Sequence, residues 1–391
     1  MQYQIKDICL SIYSGGTPKS TVSEYYTTHG IPWLNTKEIN FNRIFDTEKH
    51  ITQAGYDSSS AKWVDANAVI IAMYGATAGK CCISKIRLTT NQACCNLIIN
   101  DRIADYLYVY YYLTYKYIEL SGLANGGAQQ NLNSQIIKEF PIFLPNLAIQ
   151  KKISSILASL DDKIEANEKL NRNLEEQSQT IFTSFMLSHQ TSSITVGDLI
   201  LTANTGADAI QKAPIVDYDT GVKCIRVGDM SNRRPVHEWG FTKVTPEVFA
   251  QYQLHKNDIV VTRTASLGLN RLIADDLQAV YNNGLIRLTV NKNIVLPLLV
   301  YRQFQTEDYR NYIGRITSET SVRPNMKINY LLKYSFEILN KPDQKKLADI
   351  LEPFFLAQEK NVIENQRLCS LRDTLLPKLM SGEMDVSELD I

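Results

Sequence analysis

Apolar positions in the middle of this chain advance by threes and fours: Ile149, Ile153, Ile156, Leu160, Ile164, Asn167, Leu170, Leu174, Gln177, Ile181 and Phe185. Such spacing lays one stripe along a helix and is the seam of a coiled coil. It predicts a long helix over 147–189. A second seam, Leu347, Ile350, Leu351, Phe354, Leu368, Leu371, Leu375 and Leu379, begins just after Pro342. Proline suits a helix entrance because the N–H it lacks would have no partner there. Asn167 and Asn361 fall at matching places, at offset 194 (361 minus 167). An asparagine buried in a seam fixes register at some loss of stability, so these two are read as helix-pairing residues; the other reading is two asparagines that face solvent.

Before each seam the pattern changes. Short apolar or alternating runs, Ala68 to Met73, Asn96 to Ile99, Asp258 to Thr262 and Leu285 to Val290, read as strands bounded by turn residues. Tyr106 to Leu120, and its counterpart near Leu298 to Ile313, read as amphipathic helices. Seven tyrosines between 106 and 117 invite base stacking. At helical spacing, however, they are read as core.

These segments are written twice. Asp7 answers to Asp198 at offset 191 (198 minus 7), and Gly30 to Ile39 answers to Gly221 to Met230 at the same offset, pairing Trp33 with Cys224, Asn35 with Arg226 and Glu38 with Asp229. The strand ending at Gly79 answers to the one ending at Gly268 after a one-residue gap, and Ile136 to Leu157 answers to Tyr330 to Leu351 at offset 194. Preserved order and spacing over so long a stretch mean two homologous halves. The organisation that follows is a mixed domain at 1–146, a helix at 147–189, a second mixed domain at 190–340, and a helix with tail at 341–391.

Composition narrows the function. The chain has 391 residues, enough for two or three domains, and its 44% hydrophobic and 21% charged residues are ordinary for a globular protein. No apolar run is long enough for a membrane span and the first residues lack a signal-peptide core, so the cytoplasm is expected and no membrane partner. Seven cysteines, including Cys81-Cys82 and Cys94-Cys95, fit a reducing compartment. The 41 basic and 41 acidic side chains balance, but residues 190–340 carry 17 basic against 14 acidic, and residues 1–146 carry 12 against 11. Any nucleic-acid surface must therefore be a local patch.

The chemistry of an enzyme is missing. Gly75 to Cys81, GATAGKC, is one residue short of a phosphate loop and has Cys in place of its hydroxyl. There is no nucleophile elbow, no dinucleotide fingerprint, and no Pro-Pro pair of the kind an adenine methyltransferase carries. Adjacent cysteines on a strand point to opposite faces, so no tetrahedral metal site is expected. The reading is a non-catalytic protein that binds no cofactor of its own.

Three segments then carry a resemblance: SGGTP at Ser14 to Pro18, GIPWL at Gly30 to Leu34, and the run from Ile136 through FPIFLP to Gln150-Lys151-Lys152-Ile153, which recurs as Phe336 to Leu347. Over its whole length the chain resembles the specificity subunit of type I restriction-modification enzymes. The second half departs at its start, where Asn204 to Ala207 reads NTGA. The resemblance implies an α+β, internally duplicated fold, with two mixed α/β target-recognition domains separated by two long antiparallel coiled-coil helices. It implies that each domain reads one half of a split target in double-stranded DNA. It further implies two modification subunits that bind S-adenosylmethionine and methylate adenine N6, with restriction and motor subunits joining for cleavage. A coiled-coil adaptor that recruits proteins without DNA is the competing reading.

Candidate contacts follow from side-chain chemistry. Ser14, Gly15, Gly16, Thr17 and Lys19 share one loop whose glycines let backbone approach phosphates closely. Asn35 and Lys37, and Arg226, Arg233 and Arg234, lie on the equivalent loops of the two halves. Tyr74, Thr77 and Lys80, and Arg263 and Arg271, lie on equivalent loops after a strand. Gln129, Gln130 and Asn131 offer amides suited to adenine edges, with Arg323 as counterpart. Residues 190–340 hold ten arginines against three in residues 1–146. Since arginine to guanine is the commonest specific contact, the second half-site is expected to be the richer in G·C pairs.

Overall fold

In a computed structural model of the chain, which describes residues 1–124, 131–319 and 325–389, both seams are unbroken helices. The central helix, Leu147–Ser188, has 42 residues, and the distal helix, Lys341–Ser381, has 41. Each starts on an asparagine that satisfies a free N–H of the first turn. Asn146 accepts from Ile149 at 2.9 Å and Asn340 from Asp343 at 3.0 Å. Gly382, at φ 78°, follows the distal helix in the left-handed conformation that glycine adopts freely.

The chain packs as two units, Met1–Lys163 with Leu368–Ile391, and Ile164–Arg367. The four segments read from the sequence divide the chain by element; the units divide it by packing, so each takes a stretch of both long helices.

In unit 1 the strands Cys9–Ser14, Cys94–Ile99, Val69–Ala72, Cys81–Ser84 and Asn42–Ile44 form one sheet in that order. A second sheet runs Tyr26–Thr27, His50–Ile51, Ile31–Leu34, Leu88–Thr90, Trp63–Val64, and Gln2–Gln4 pairs with Pro141–Phe143. Unit 2 repeats the plan. Its first sheet is Ile200–Thr205, Leu285–Val290, Asp258–Thr262, Asn270–Leu272; its second is Ile215–Val216, Gly240–Thr242, Lys223–Ile225, Ala279–Tyr281; and Thr191–Thr195 pairs with Ser335–Leu339. One parallel contact matches as well. Trp33 lies beside Thr89 in unit 1, and Cys224 beside Val280 in unit 2.

The predicted tyrosine helix is two helices, Tyr106–Tyr115 and Tyr117–Gly122, broken at Lys116. Tyr108, Tyr110, Tyr111 and Tyr112 are buried in the core of unit 1 with Ile153 and Leu157 of the central helix, so they pack and do not stack on bases. Adjacent cysteines do point to opposite faces: Cys81 and Cys95 belong to that core, Cys82 and Cys94 to another with Leu34 and Ile70. Burial pushes the Cys81 and Cys95 thiols up to about 12, so both stay protonated at neutral pH.

The glutamine of the recurring Gln-Lys-Lys motif is a bracket. Buried Gln150 accepts from the Asp105 N–H at 2.9 Å and donates to the carbonyls of Ile103 and Pro145 at 3.3 and 2.9 Å. It thereby fixes the loop before the tyrosine helix to the first turn of the central helix. Gln344 does the same in unit 2, donating to Ile294 and Leu339 at 3.0 and 2.8 Å.

Within unit 2 the long helices run antiparallel over an amide ladder. Asn167, 2% exposed, donates to Glu364 at 2.9 Å and Asn365 at 2.8 Å. Asn361 donates to Asn171 at 2.8 Å, and Gln358 to Glu175 at 2.9 Å. Asn167 and Asn361 therefore both serve the pairing, but each meets an asparagine one turn away from the other. Among the described residues no helix is long and apolar enough to cross a membrane.

Candidate nucleic-acid interface

In unit 1 most of the loop candidates come together at one edge. Gly15 and Gly16 are buried there, and a Cβ on Gly15 would stand 1.9 Å from the Thr90 carbonyl oxygen, one on Gly16 2.3 Å from the Ala61 nitrogen. The Gly16 N–H donates to Thr90 at 2.9 Å and its carbonyl accepts from the Trp33 indole at 2.9 Å. The close approach that these glycines allow in the structure is to the chain's own backbone. Ser14 is half-buried; Thr17, which donates to Gln92, and Lys19 are the exposed members of the loop.

Asn35 begins a single turn, Thr36–Glu38, whose Glu38 carboxylate accepts from the Asn35 N–H at 3.0 Å. Asn91 donates to the Asn35 side chain at 3.4 Å. The Thr77 hydroxyl donates to the Thr36 carbonyl at 2.9 Å, and Lys80 donates to Asn40 at 2.7 Å. Tyr74, 43% exposed, forms a backbone bridge with Asn131. Lys37 is exposed but salt-bridged to Glu48 at 2.6 Å, a hydrogen-bonded charge pair that raises its pKa above the ordinary lysine value. Five loop segments, around residues 15–17, 35–37, 74–77, 91–92 and 131, therefore form one polar ridge. Sequence reasoning missed Asn91 and Gln92, although the duplication repeats an amide pair at Asn282 and Asn283. Gln129 and Gln130 lie outside the described residues.

Unit 2 builds the same ridge with other side chains. A Cβ on Gly206 would meet the Tyr281 and Asn282 carbonyl oxygens at 2.3 Å, as Gly15 meets Thr90. Asn282 donates from its backbone to Ile225 at 3.2 Å. Thr264 bridges to Asn325 as Tyr74 does to Asn131, and the Met326 N–H donates to the Arg263 carbonyl at 2.7 Å where Leu132 donates to Met73 at 2.8 Å. Arg226 matches Asn35: its N–H donates to the Asp229 carboxylate at 2.9 Å, as Asn35 does to Glu38.

The arginines divide into tied and free. Arg263 donates from all three guanidinium nitrogens, to Met326 at 3.2 Å, Asn283 at 3.1 Å and Asn325 at 2.9 Å. It is a clamp across three loops, a role that its planar fork suits. Asp229, only 1% exposed, takes Arg226 at 3.4 Å and Arg234 at 3.5 Å. Arg271 donates to the Arg234 carbonyl at 2.9 Å and lies over the Trp239 ring at 5.3 Å. Arg233 is exposed, with no side-chain bond holding it among the described residues. Arg323 lies outside them. Among the described residues no cluster of histidine, cysteine and carboxylate side chains is placed to hold a metal ion.

The chain is thus a duplicated α/β protein, with a loop ridge at one edge of each unit and a helical bracket behind it. The chain belongs to the family described as the type I restriction modification DNA specificity domain, whose model matches residues 1–176 and 193–366. It is 26% identical to the type I restriction enzyme MjaIX specificity subunit of Methanocaldococcus jannaschii, over 99% of this chain and 94% of that one. To the EcoR124I/EcoR124II specificity subunit of Escherichia coli it is 27% identical, over 38% of each chain. The fold is also that of a crystal structure of the type I S subunit from M. genitalium, with a TM-score of 0.60 at 18% identity, over 97% of this chain and 95% of that one. The chain is a specificity subunit, a recognition component and not a catalytic one.

Proposed function

We propose that each half of this chain reads one half of a split, asymmetric target in double-stranded DNA. On this reading residues 1–146 and 190–340 are the two target-recognition domains, and 147–189 and 341–391 are the helical segments on which partner subunits assemble. Two modification subunits carry S-adenosylmethionine and methylate adenine N6 at the site chosen; restriction and motor subunits join them for cleavage. The chain itself contributes no cofactor site, and it acts in the cytoplasm, where its DNA is.

One observation carries the reading: the five-segment ridge occurs twice, with the backbone frame kept and the side chains changed. Asn35 becomes Arg226 and Tyr74 becomes Thr264. A frame that is held while its outward groups vary is what two different half-sites require, because phosphate contacts set position whereas base contacts set sequence. A protein-only adaptor has no need of two unlike ridges.

Reconstitution tests it. Chain co-purified with its cognate methyltransferase subunits and given S-adenosylmethionine should methylate duplex DNA at one split motif, while neither component alone does. A complex that assembles yet never directs methylation to a defined sequence would favour the adaptor reading.

A further inference from the structure

Arg233 sits at φ 50°, in the left-handed region that side chains other than glycine and asparagine avoid. The turn around it leaves no choice. Asp229 accepts the Arg234 N–H on its backbone carbonyl at 2.8 Å and the Arg234 guanidinium on its side chain at 3.5 Å. The Arg234 carbonyl then takes both the Trp239 indole at 3.1 Å and Arg271 at 2.9 Å. Four bonds lock Arg234, and the preceding residue absorbs the strain. Such strain persists only where the surroundings over-determine it, and it gathers at functional positions.

Unit 1 strains its chain nearby, at Phe41 with φ 53°, one residue before the counterpart of Arg233 at offset 191 (233 minus 42). There the side chain offsets the strain: the Phe41 ring packs on Tyr117 at 5.1 Å. Arg233 has no such packing. It is exposed and unbonded among the described residues, so glycine would serve the turn better. Arg226, Arg234, Arg263 and Arg271 are each tied to the protein, which leaves Arg233 as the free fork of this group.

The geometry points to Arg233 as a specificity-determining residue that reads a guanine of the second half-site through the bidentate contact to O6 and N7. This rests on the DNA-reading function proposed above. A chain built to contact phosphate alone would need only charge, which lysine supplies equally.

The test uses the full chain in its methyltransferase complex, with Arg233→Gly and Arg233→Lys. Arg233→Gly relieves the turn, so its thermal midpoint should match or exceed that of the unaltered chain, by up to about 2–4 °C. Methylation should lose its preference for guanine at one position of the second half-site, by roughly 5- to 150-fold. Arg233→Lys should lose the same preference, and both should leave the first half-site unchanged. Any of three results overturns the assignment: a second half-site without guanine, a lysine variant with full preference, or a glycine variant with an unaltered motif or a lowered midpoint. If the unaltered complex methylates no split motif at all, the DNA-reading function itself fails, which is a separate outcome.

Discussion

The Tyr111 hydroxyl donates to the Asp161 carboxylate at 2.6 Å, and the second oxygen of that carboxylate takes Arg372 at 2.9 Å. A tyrosine of the first domain is thereby tied to both long helices within unit 1. In unit 2 its place, at offset 191 (302 minus 111), is held by Arg302, fully buried, which donates to Glu175 at 2.7 Å and Gln358 at 3.4 Å. The bracket is the same, but the positive charge has moved from the helix to the domain.

These brackets set a stability prediction. Tyr111→Phe removes one hydrogen bond to a charged acceptor and should cost about 1.5–3 kcal/mol. Arg302→Met removes the bond to half-buried Glu175 and should cost about 1.5–3 kcal/mol or more, whereas Arg302→Met with Glu175→Leu should recover part of it, because the half-buried charge leaves with its partner. Chemical unfolding of the three variants checks the order. A double variant as unstable as Arg302→Met alone would contradict the account.

The amide ladder is the second case. Asn167→Ala leaves Asn365 and Glu364 short of a donor in a nearly closed seam and should lower stability by about 1–3 kcal/mol. The same change at exposed Arg172 should stay within about 0.5 kcal/mol. Denaturant midpoints compare them directly, and equal effects would mean that the ladder is incidental.

Much of this was legible in the sequence. The seams, the duplication and the Trp33–Cys224 and Glu38–Asp229 correspondences are statements about spacing, and spacing survives without coordinates. The role of Gly15 and Gly16 was not. Composition shows only that a backbone comes close to something, and the partner, Thr90 with Ala61, is 45 residues or more away along the chain. Nor could composition separate the arginines, because Arg263 and Arg233 look alike until the acceptors around each guanidinium are in place. Asn91 and Gln92 were passed over because they are only the end of a strand until Asn35 and Thr17 fold against them.

The glycines themselves are testable. Gly15→Ala puts a methyl 1.9 Å from a carbonyl oxygen and should cost about 1–3 kcal/mol or more, lowering soluble yield. At Gly75, φ 79°, nothing lies within 4 Å of an added Cβ, so Gly75→Ala should cost only the backbone penalty of about 1–2 kcal/mol. Ala265, at φ 59° in the matching turn of unit 2, shows that the turn tolerates the methyl. Thermal midpoints should rank Gly15→Ala below Gly75→Ala; the reverse order would contradict the packing described.

Glu359 gives the pH prediction. Burial raises its carboxyl pKa, only partly offset by Arg271, so the folded state holds its proton more tightly than the unfolded chain. Ionisation then works against folding at neutral pH, and that penalty fades as pH falls through the raised folded pKa toward the unfolded value. Glu359→Gln should therefore stabilise slightly at pH 7, by under about 1 kcal/mol, and the difference should vanish near pH 4. Melting curves of both proteins across that range decide it; a gap that widens toward acid would reverse the sign.

The most direct test of two independent readers is exchange of one of them. Residues 190–340 are replaced by the matching segment of another family member whose methylated motif is known, and the host methylome is sequenced. The account predicts that one half of the split motif changes to that of the donor while the other half stays as it was. A motif that changes in both halves, or in neither, would contradict it.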